Sequence, residues 1–334
     1  MVGAIQQFVR ATDAAVARMY LALFKERNAL LSFLFHSLFR DEQEIEKKLV
    51  DPLQRTTVAK FRQFIEYYLR SGYQFISPAD LVNGVSPQGK YALITFDDGY
   101  FNNELARPIL EEYKVPAVFF ISTEHVKHNK CFWWDVIYRE RAVQGLSHRK
   151  IYREQISMKA MTTEQIEARL TDLFGADAFR PRGDIDRPFT PAELREFASS
   201  KYVHLGNHTA NHAILTNYTR EQVRDQITRA QDSLRLMTGV NPCAIAYPNG
   251  AHSSTIIETC SDVGLKVGFT VRPEKSTLPM SAQPLGLFRL GRFAPHGDGS
   301  IVSQCRTYRS DLLLYSMFRD GYLKLARKNA MECD

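Results

Sequence analysis

The sequence predicts an α/β fold in which parallel strands form a sheet or a barrel. Short apolar runs rich in β-branched and aromatic residues alternate along the chain with segments of helical periodicity. A parallel sheet requires this alternation of strands and helices. After each strand the chain must cross back to the start of the sheet, usually through a helix, before the next strand begins. Two of the runs, at residues 91–96 and 243–246, stop at polar turn residues. Such strand ends carry the chemistry of α/β folds, so the functional site is expected there.

The first strand is expected at residues 30–39, with His36 near its end. We expect His36 to be a satisfied core histidine, and a place along the cleft is the alternative. The elements that follow are predicted from apolar periodicity and from the turn residues between them. They are helices at 57–70, 105–114, 219–238 and 254–263, and strands at 73–76, 91–96, 117–121, 203–205, 243–246, 267–271 and 287–294.

A helical insertion is expected at about residues 125–190, where charged helical sequence interrupts the alternation of strands and helices. We expect it to lie over the barrel mouth and to shape substrate access. Both tryptophans of the chain lie at its head. Trp134 could stack on a sugar face and Asp135 could bind a hydroxyl group. The alternative is that this stretch is a hydrophobic plug that anchors the insertion.

The composition fits one large domain with extensions at both ends. Of 334 residues, 44% are hydrophobic and 24% are charged, which is ordinary for a soluble globular protein. We expect a catalytic barrel at residues 31–300, an N-terminal helical extension at 1–30 and a C-terminal helical tail at 301–334. The formal net charge of +6 suits an acidic polysaccharide, a lipid-linked sugar or an anionic membrane, or carries no information about partners. Because the basic residues are dispersed, no nucleic-acid partner is expected.

The cysteines and the N-terminal segment together favour a cytoplasmic protein. The five cysteines are odd in number and lack Cys-x-x-Cys spacing, which indicates reduced thiols. Charged residues interrupt residues 1–28 too often for a signal peptide or a membrane span. The apolar stripe of this segment favours a helix that packs on its own barrel over a membrane or dimer contact. A membrane-surface contact and a homo-oligomer stay open.

The run at residues 91–96 delivers two adjacent carboxylates, Asp97 and Asp98, to the end of a strand. Adjacent residues of a regular strand point to opposite faces, so both can share one site only if the strand ends there. Gly99 permits such a bend, because it has no Cβ. The alternative is a strand followed by a plain Asp-Gly turn.

About 110 residues later, His208 and His212 follow a short strand and the break at Gly206. Their spacing of four residues puts both imidazoles on one face of a helical turn. Two histidines and one carboxylate make a three-ligand metal site with open positions for water. The usual His-Glu-x-x-His base is absent, so a second carboxylate beside the ligand carboxylate is needed as the base. A solvated helix face is the alternative.

A third stretch, at residues 243–250, is an apolar strand that ends in a Tyr-Pro-Asn-Gly turn. Together, Thr-Phe-Asp-Asp-Gly at 95–99, His-Thr-x-x-His at 208–212 and this turn resemble the polysaccharide deacetylase family, also called the NodB-homology or carbohydrate esterase 4 family. The resemblance covers about residues 31–297. It implies a distorted, seven-stranded (β/α) barrel in which Asp98, His208 and His212 bind the metal and Asp97 is the general base. Coordination chemistry alone does not say which aspartate is which.

The resemblance also implies the remaining parts of the site. A backbone N–H of the turn formed by Tyr247, Pro248, Asn249 and Gly250 would bind the oxyanion, and His296 would protonate the leaving amine. Ala246 stands where the family has an arginine that orients the base, and Asn249 stands where a tyrosine is frequent. Arg292 or Arg289 could supply the missing charge. Because the sequence around His296 is Pro-His-Gly and not Leu-x-His, His296 could instead be a loop residue.

We therefore expect a metal-dependent hydrolase that removes an N-acetyl or similar small acyl group from an amino sugar or a glycan precursor. Zn²⁺ is the expected cofactor, and Co²⁺, Fe²⁺ and Ni²⁺ suit the same ligands. The first alternative is a deformylase or another non-peptide amide hydrolase on the same fold. The second is a catalytically silent carbohydrate-binding protein, which would have no need for both Asp97 and Asp98.

Overall fold

The computed structural model describes residues 2–280 and 285–311, and for residues 2–10 it describes only the backbone. The strands of this part of the chain form one curled sheet with the order β7-β6-β5-β4-β3-β1-β8, and β2 lies beside β3. All pairings are parallel except that of β8 with β1. The strands are β1 (Ala29–Phe35), β2 (Gln74–Phe75), β3 (Tyr91–Phe96), β4 (Ala117–Ile121), β5 (Val203–Asn207), β6 (Ala244–Ala246), β7 (Val267–Phe269) and β8 (Ser276–Thr277).

Helices connect these strands, and polar side chains cap many of them. The Thr219 side chain accepts a hydrogen bond from the Gln222 N–H, and Gly239 ends the same helix with φ of 77°. The helices are α1 (Val2–Leu23), α2 (Glu42–Glu46), α3 (Val58–Arg70), α4 (Pro78–Asn83), α5 (Arg107–Tyr113), α6 (Thr123–His128), α7 (Trp133–Val143), α8 (His148–Met158), α9 (Thr163–Phe174), α10 (Pro191–Phe197), α11 (Arg220–Thr238), α12 (Ser254–Asp262) and α13 (Ile301–Arg309).

The segment 290–293 bridges β7, at one end of the curled sheet, and β1, the strand next to the other end. The Leu290 N–H donates to Gly268 O of β7 at 3.0 Å, and the Phe293 N–H donates to Ser32 O of β1 at 2.9 Å. The strand predicted at 287–294 is wrong in detail, because a 3-10 turn at Gly286–Arg289 precedes two isolated bridges. The predicted α/β fold with a distorted barrel of parallel strands is confirmed.

Strands β1, β3 and β4 are buried on both faces, which explains why they read as nearly continuous apolar runs. On the outer face, Phe96 stacks on Phe119 with ring centroids 4.8 Å apart, under the helices. The residues that alternate with these along each strand face the barrel interior. There Leu93, Phe120 and Phe269 pack together. The polar ends of β3 and β5 therefore emerge from a rigid apolar base.

Helices α7, α8 and α9 form the insertion and have an apolar cluster of their own, which includes Ile137, Ile151 and Leu170. The predicted domain limits at residues 30 and 300 stay a prediction. At the N-terminus α1 is a helix as predicted, and its Tyr20 hydroxyl donates to Asp311 at 2.7 Å. Of the helical tail predicted at 301–334, α13 is a helix as predicted, and residues 312–334 lie outside the described residues.

In the described chain, no helix combines the length and the apolar composition that crossing a bilayer requires. The cytoplasmic location stays a prediction.

Candidate metal-binding active site

The end of β3 turns sharply enough to place Asp97 and Asp98 in the same cleft. Asp98 has φ of 79° and Gly99 has φ of 93°, so the extended conformation ends at once. The Asp97 N–H still donates to Phe35 O at 2.9 Å, which holds the turn against β1. Both carboxylates are buried, with at most 3% of either residue exposed. The bend predicted at Gly99 therefore brings the two aspartates together.

The loop after β5 carries His208 and His212, and it is not the helical turn that their spacing predicts. Thr209 and His212 have φ of 64° and 51°, which a right-handed helix excludes. Side chains hold the loop instead. Asn207 Oδ1 accepts from the Thr209 N–H at 2.8 Å, and Thr209 Oγ1 accepts from the Ala213 N–H at 2.8 Å. The two imidazoles meet because of these bonds, not because of helical periodicity.

Asp98, His208 and His212 form a buried three-residue cluster whose donor atoms lie within 4.8 Å of one another. Asp98 Oδ1 lies 3.3 Å from Nε2 of each histidine. His208 Nδ1 lies 2.8 Å from Ala246 O, so it carries the proton and leaves Nε2 free to bind a cation. Within the described chain, the buried Asp98 Oδ1 and His212 Nδ1 have no hydrogen-bond partner. This donor set fits a divalent metal.

Arg292 supplies the charge beside Asp97, as one of the two predicted arginines. Its Nη1 and Nη2 donate to the two Asp97 oxygens at 2.6 and 2.8 Å. The same guanidinium donates to Thr95 Oγ1 and to Thr270 O, both at 2.9 Å, and is fully buried. Arg289 is exposed. The arginine that the third motif lacks at Ala246 is therefore replaced from the segment that closes the barrel.

Electrostatics keep both aspartates ionised. Burial alone raises the pKa of Asp97, but the charges of Arg292 and His208 bring that pKa below its ordinary value. Burial also opposes ionisation of Asp98, but the two imidazoles beside it hold the pKa of its carboxyl well below the usual range. Burial lowers the pKa of His212, whereas for His208 the two carboxylates outweigh burial and raise the pKa.

The turn after β6 offers one backbone donor to the cleft. The Tyr247 N–H donates to Phe269 O, the Gly250 N–H donates to Tyr247 O at 2.7 Å, and Pro248 has no N–H. Asn249, with φ of 56°, lines the cleft. The Asn249 N–H is therefore the turn's candidate donor to an oxyanion. Tyr247, predicted among the substrate contacts, is buried.

The sequence model of the polysaccharide deacetylase family matches residues 84–268. The chain belongs to this family. The matched segment contains both aspartates, both histidines and the turn after β6, and it ends before Arg292.

Solved structures of family members share the fold. The Streptococcus pyogenes deacetylase PplD, in complex with acetate, is 20% identical, with a TM-score of 0.56 over 84% of this chain and 99% of that one. The polysaccharide deacetylase BC0361 from Bacillus cereus is 15% identical, with a TM-score of 0.57 over 84% of this chain and 69% of that one.

A further match is to YxkH of Bacillus subtilis (strain 168), whose name assigns it to the polysaccharide deacetylases. The identity is 27% over 123 residues, which are 35% of this chain. The match spans 44% of the length of YxkH.

The insertion forms one wall of a cleft of about 280 Å³, and Asp97 and Asp98 also line this cleft. Trp133, Trp134, Tyr152, Gln155 and Lys159 line this wall. The Trp134 ring lies 4.5 Å from the His212 ring, centroid to centroid. The place of Trp134 suits its predicted contact with a sugar, which stays a prediction.

Asp135 does not line this wall, so its predicted contact with a sugar hydroxyl is wrong. It is fully buried, and its two oxygens accept from the Tyr100 hydroxyl at 2.6 Å and from the Asp51 N–H at 2.8 Å. The Trp134 Nε1–H donates to the same Tyr100 hydroxyl at 2.9 Å. Asp135 therefore supports Trp134 from behind.

His36 lines the cleft, whereas His296, the predicted acid, does not. His296 lies on the loop before α13, where its backbone N–H and C=O both bond the Gln304 side chain, and it is not among the cleft-lining residues. His36 follows β1 directly and lines the cleft. Its position at a strand end was the available signal. Lys159 and Asp51 also line the cleft, and no sequence motif marks either one.

Proposed function

We propose that this protein is a metal-dependent hydrolase that removes an N-acetyl or similar small acyl group from an amino sugar. The observation that carries the proposal is the buried cluster of Asp98, His208 and His212 beside an ionised Asp97, at the bottom of an open cleft. Membership of the polysaccharide deacetylase family supports the same chemistry.

Asp98, His208 and His212 would hold the metal. Zn²⁺ is the ion expected from two imidazole nitrogens and one carboxylate, and Co²⁺, Fe²⁺ and Ni²⁺ accept the same ligands. When bound there, a divalent metal supplies Lewis acidity, which acidifies a water molecule and polarises an acyl carbonyl.

Asp97 is the proposed general base. Its carboxylate takes the proton of the attacking water, while the two-point bond from Arg292 fixes the plane of the carboxylate. The negative charge that develops on the acyl oxygen is stabilised by the Asn249 N–H. One such backbone donor lowers an acyl-transfer barrier by about 3 kcal/mol.

We propose His36 as the group that protonates the leaving amine. Gln54 Nε2 donates to Leu34 O at 2.7 Å and to Pro295 O at 3.1 Å, so Gln54 Oε1 must accept a hydrogen bond. His36 Nδ1 lies 2.9 Å from that oxygen and therefore carries a proton. Nε2 is therefore the nitrogen that would carry a second proton and give it to the leaving amine, and the proton that Asp97 takes from water would replace it at the end of the cycle.

The test is the release of acetate and formate from matched N-acetylated and N-formylated amino sugars and short oligomers. Acetate release by the wild type, reduced at least about 100-fold in Asp97→Asn, is expected. Preferential formate release would favour the deformylase. Sugar binding by the metal-loaded protein, with neither acid released from any substrate, would favour the silent carbohydrate-binding protein and overturn the proposal.

A further inference from the structure

One face of the insertion presents a cation to the cleft. Tyr152 and Gln155 on α8 and Lys159 just beyond its end are spaced at i, i+3 and i+7, so their side chains share one helix face. Gln155 anchors this face, because its Nε2 donates to Asp51 Oδ2 at 2.8 Å and to Trp134 O at 3.1 Å. Lys159 is therefore held at the cleft by a fixed wall.

The Lys159 ammonium has a neutral partner and no counter-charge. Its Nζ donates to Asn249 Oδ1 at 2.6 Å, and within the described residues no carboxylate oxygen lies within 4.0 Å of it. Burial lowers its pKa, and no neighbouring charge compensates. Other lysines that are withdrawn from water do face carboxylates. Lys130 lies 2.5 Å from Glu167, and Lys275 lies 2.9 Å from Asp311.

An ammonium group that loses water without gaining a counter-ion costs free energy of folding. The proposed hydrolysis does not use Lys159, because Asp97, His36 and the Asn249 N–H account for the proton transfers and the oxyanion. The uncompensated charge lies against the side chain of Asn249, and the N–H of the same residue is the proposed donor to the oxyanion. A ligand bound for hydrolysis would therefore pass within reach of Lys159.

We propose that Lys159 binds an anionic group of the substrate, so that the protein acts on an acylated amino sugar that carries a carboxylate or a phosphate. This inference rests on the proposed function and adds the charge of its substrate. The anionic group of the substrate supplies the negative charge that the Lys159 ammonium lacks among the described residues. A charge-assisted hydrogen bond of this kind should favour the anionic sugar over its neutral counterpart about tenfold or more in Kd.

Binding calorimetry on the full chain tests this inference without depending on turnover. The probes are N-acetylglucosamine, N-acetylglucosamine 1-phosphate and N-acetylmuramic acid, which represent the neutral, phosphate and carboxylate cases. The variants are Lys159→Met and Lys159→Arg, with Lys150→Met as the control, because Lys150 is an exposed lysine of the same helix. The two anionic probes distinguish the phosphate from the carboxylate as the source of the charge.

The wild type should bind at least one anionic probe about tenfold more tightly than the neutral sugar. Lys159→Met should abolish this preference, and Lys159→Arg and Lys150→Met should keep it. Added salt should weaken the preference. The inference is overturned if neither anion binds more tightly than the neutral sugar, or if Lys159→Met keeps the preference. Acetate release is scored separately, so a missing anion preference with intact hydrolysis refutes only the role of Lys159.

Discussion

The guanidinium of Arg292 bonds both carboxylate oxygens of Asp97, at 2.6 and 2.8 Å, from the segment that closes the barrel. The two residues are 195 positions apart in the sequence. The closure of the barrel and the orientation of the base thus depend on the same short segment. This pairing leads to the first prediction.

Arg292→Lys should lower kcat/KM for acetate release about 10- to 100-fold, because an ammonium cannot reproduce the planar two-point bond. Metal content should be unchanged, since Arg292 contacts Asp97 and not the metal cluster. Arg289→Lys, at an exposed position in the same region, is the control and should have wild-type activity. Wild-type kcat/KM in Arg292→Lys would show that Asp97 needs no fixed partner.

A second prediction separates the two candidate acids. His36→Asn should lower kcat about 100-fold or more, because the leaving amine loses its proton donor. His296→Asn should change kcat less than about threefold, because His296 does not line the cleft. Acetate release and metal content are measured for both variants. A large loss in His296→Asn with His36→Asn active would restore His296 as the acid.

A third prediction concerns the turn that presents the aspartates. Gly99→Ala forces an alanine to φ of 93° and brings its Cβ to 3.1 Å from the Ile121 side chain. Strain of this kind costs about 1–3 kcal/mol of the free energy of unfolding. It should also displace Asp98, so the affinity for the metal should fall as well. Gly84→Ala is the matched control, because Gly84 has φ of 89° with open space around it. Metal affinity should fall in Gly99→Ala and stay unchanged in Gly84→Ala; equal metal affinity in both would contradict the prediction.

A fourth prediction concerns acid stability. His125 is fully buried and stacks on Phe132 with ring centroids 4.4 Å apart. Burial lowers its pKa from 6.5 to about 3. Between these two pH values the imidazole of His125 is protonated in the unfolded chain and neutral in the folded protein. The free energy of unfolding should therefore fall by up to about 1.4 kcal/mol per pH unit as the pH drops below 6.5.

Urea unfolding at pH 7, 6 and 5 checks this prediction in the wild type and in His125→Phe, which keeps an aromatic ring in the same place. The variant should lose much of the pH dependence, whereas His128→Gln, at an exposed histidine of the same helix, should keep it. An unchanged pH dependence in His125→Phe would assign the acid sensitivity to another group.

Local sequence determined the strands and the polar residues at their ends. The run before Asp97 is apolar because both faces of β3 are buried, and the alternation of Val203 and Leu205 marks the strand before His208, so both strands could be recognised without a structure. The conformation of the loop between His208 and His212 could not be recognised. A spacing of four residues is compatible with a helical turn and equally with a loop that Asn207 and Thr209 hold by hydrogen bonds, so the spacing does not distinguish the two conformations.

The walls of the cleft depend on tertiary packing. Arg292 and Arg289 are equivalent in sequence, and only the bridge to β1 shows which one faces Asp97. Asp135 looked like a residue of the cleft because it follows Trp134, but the face that α7 buries turns it away from the cleft. Lys159 meets Asn249 across 90 positions of sequence, and no local pattern encodes that meeting.

The most direct test of the proposed mechanism is metal content, by elemental analysis, together with acetate release for the wild type, Asp97→Asn and Asp98→Ala. About one ion per chain is expected in the wild type and in Asp97→Asn, and close to none in Asp98→Ala. Acetate release should be at least about 100-fold slower than that of the wild type in both variants. A metal-free wild type that still releases acetate at the full rate, or an Asp97→Asn variant that does so, would contradict the division of labour between ligand and base.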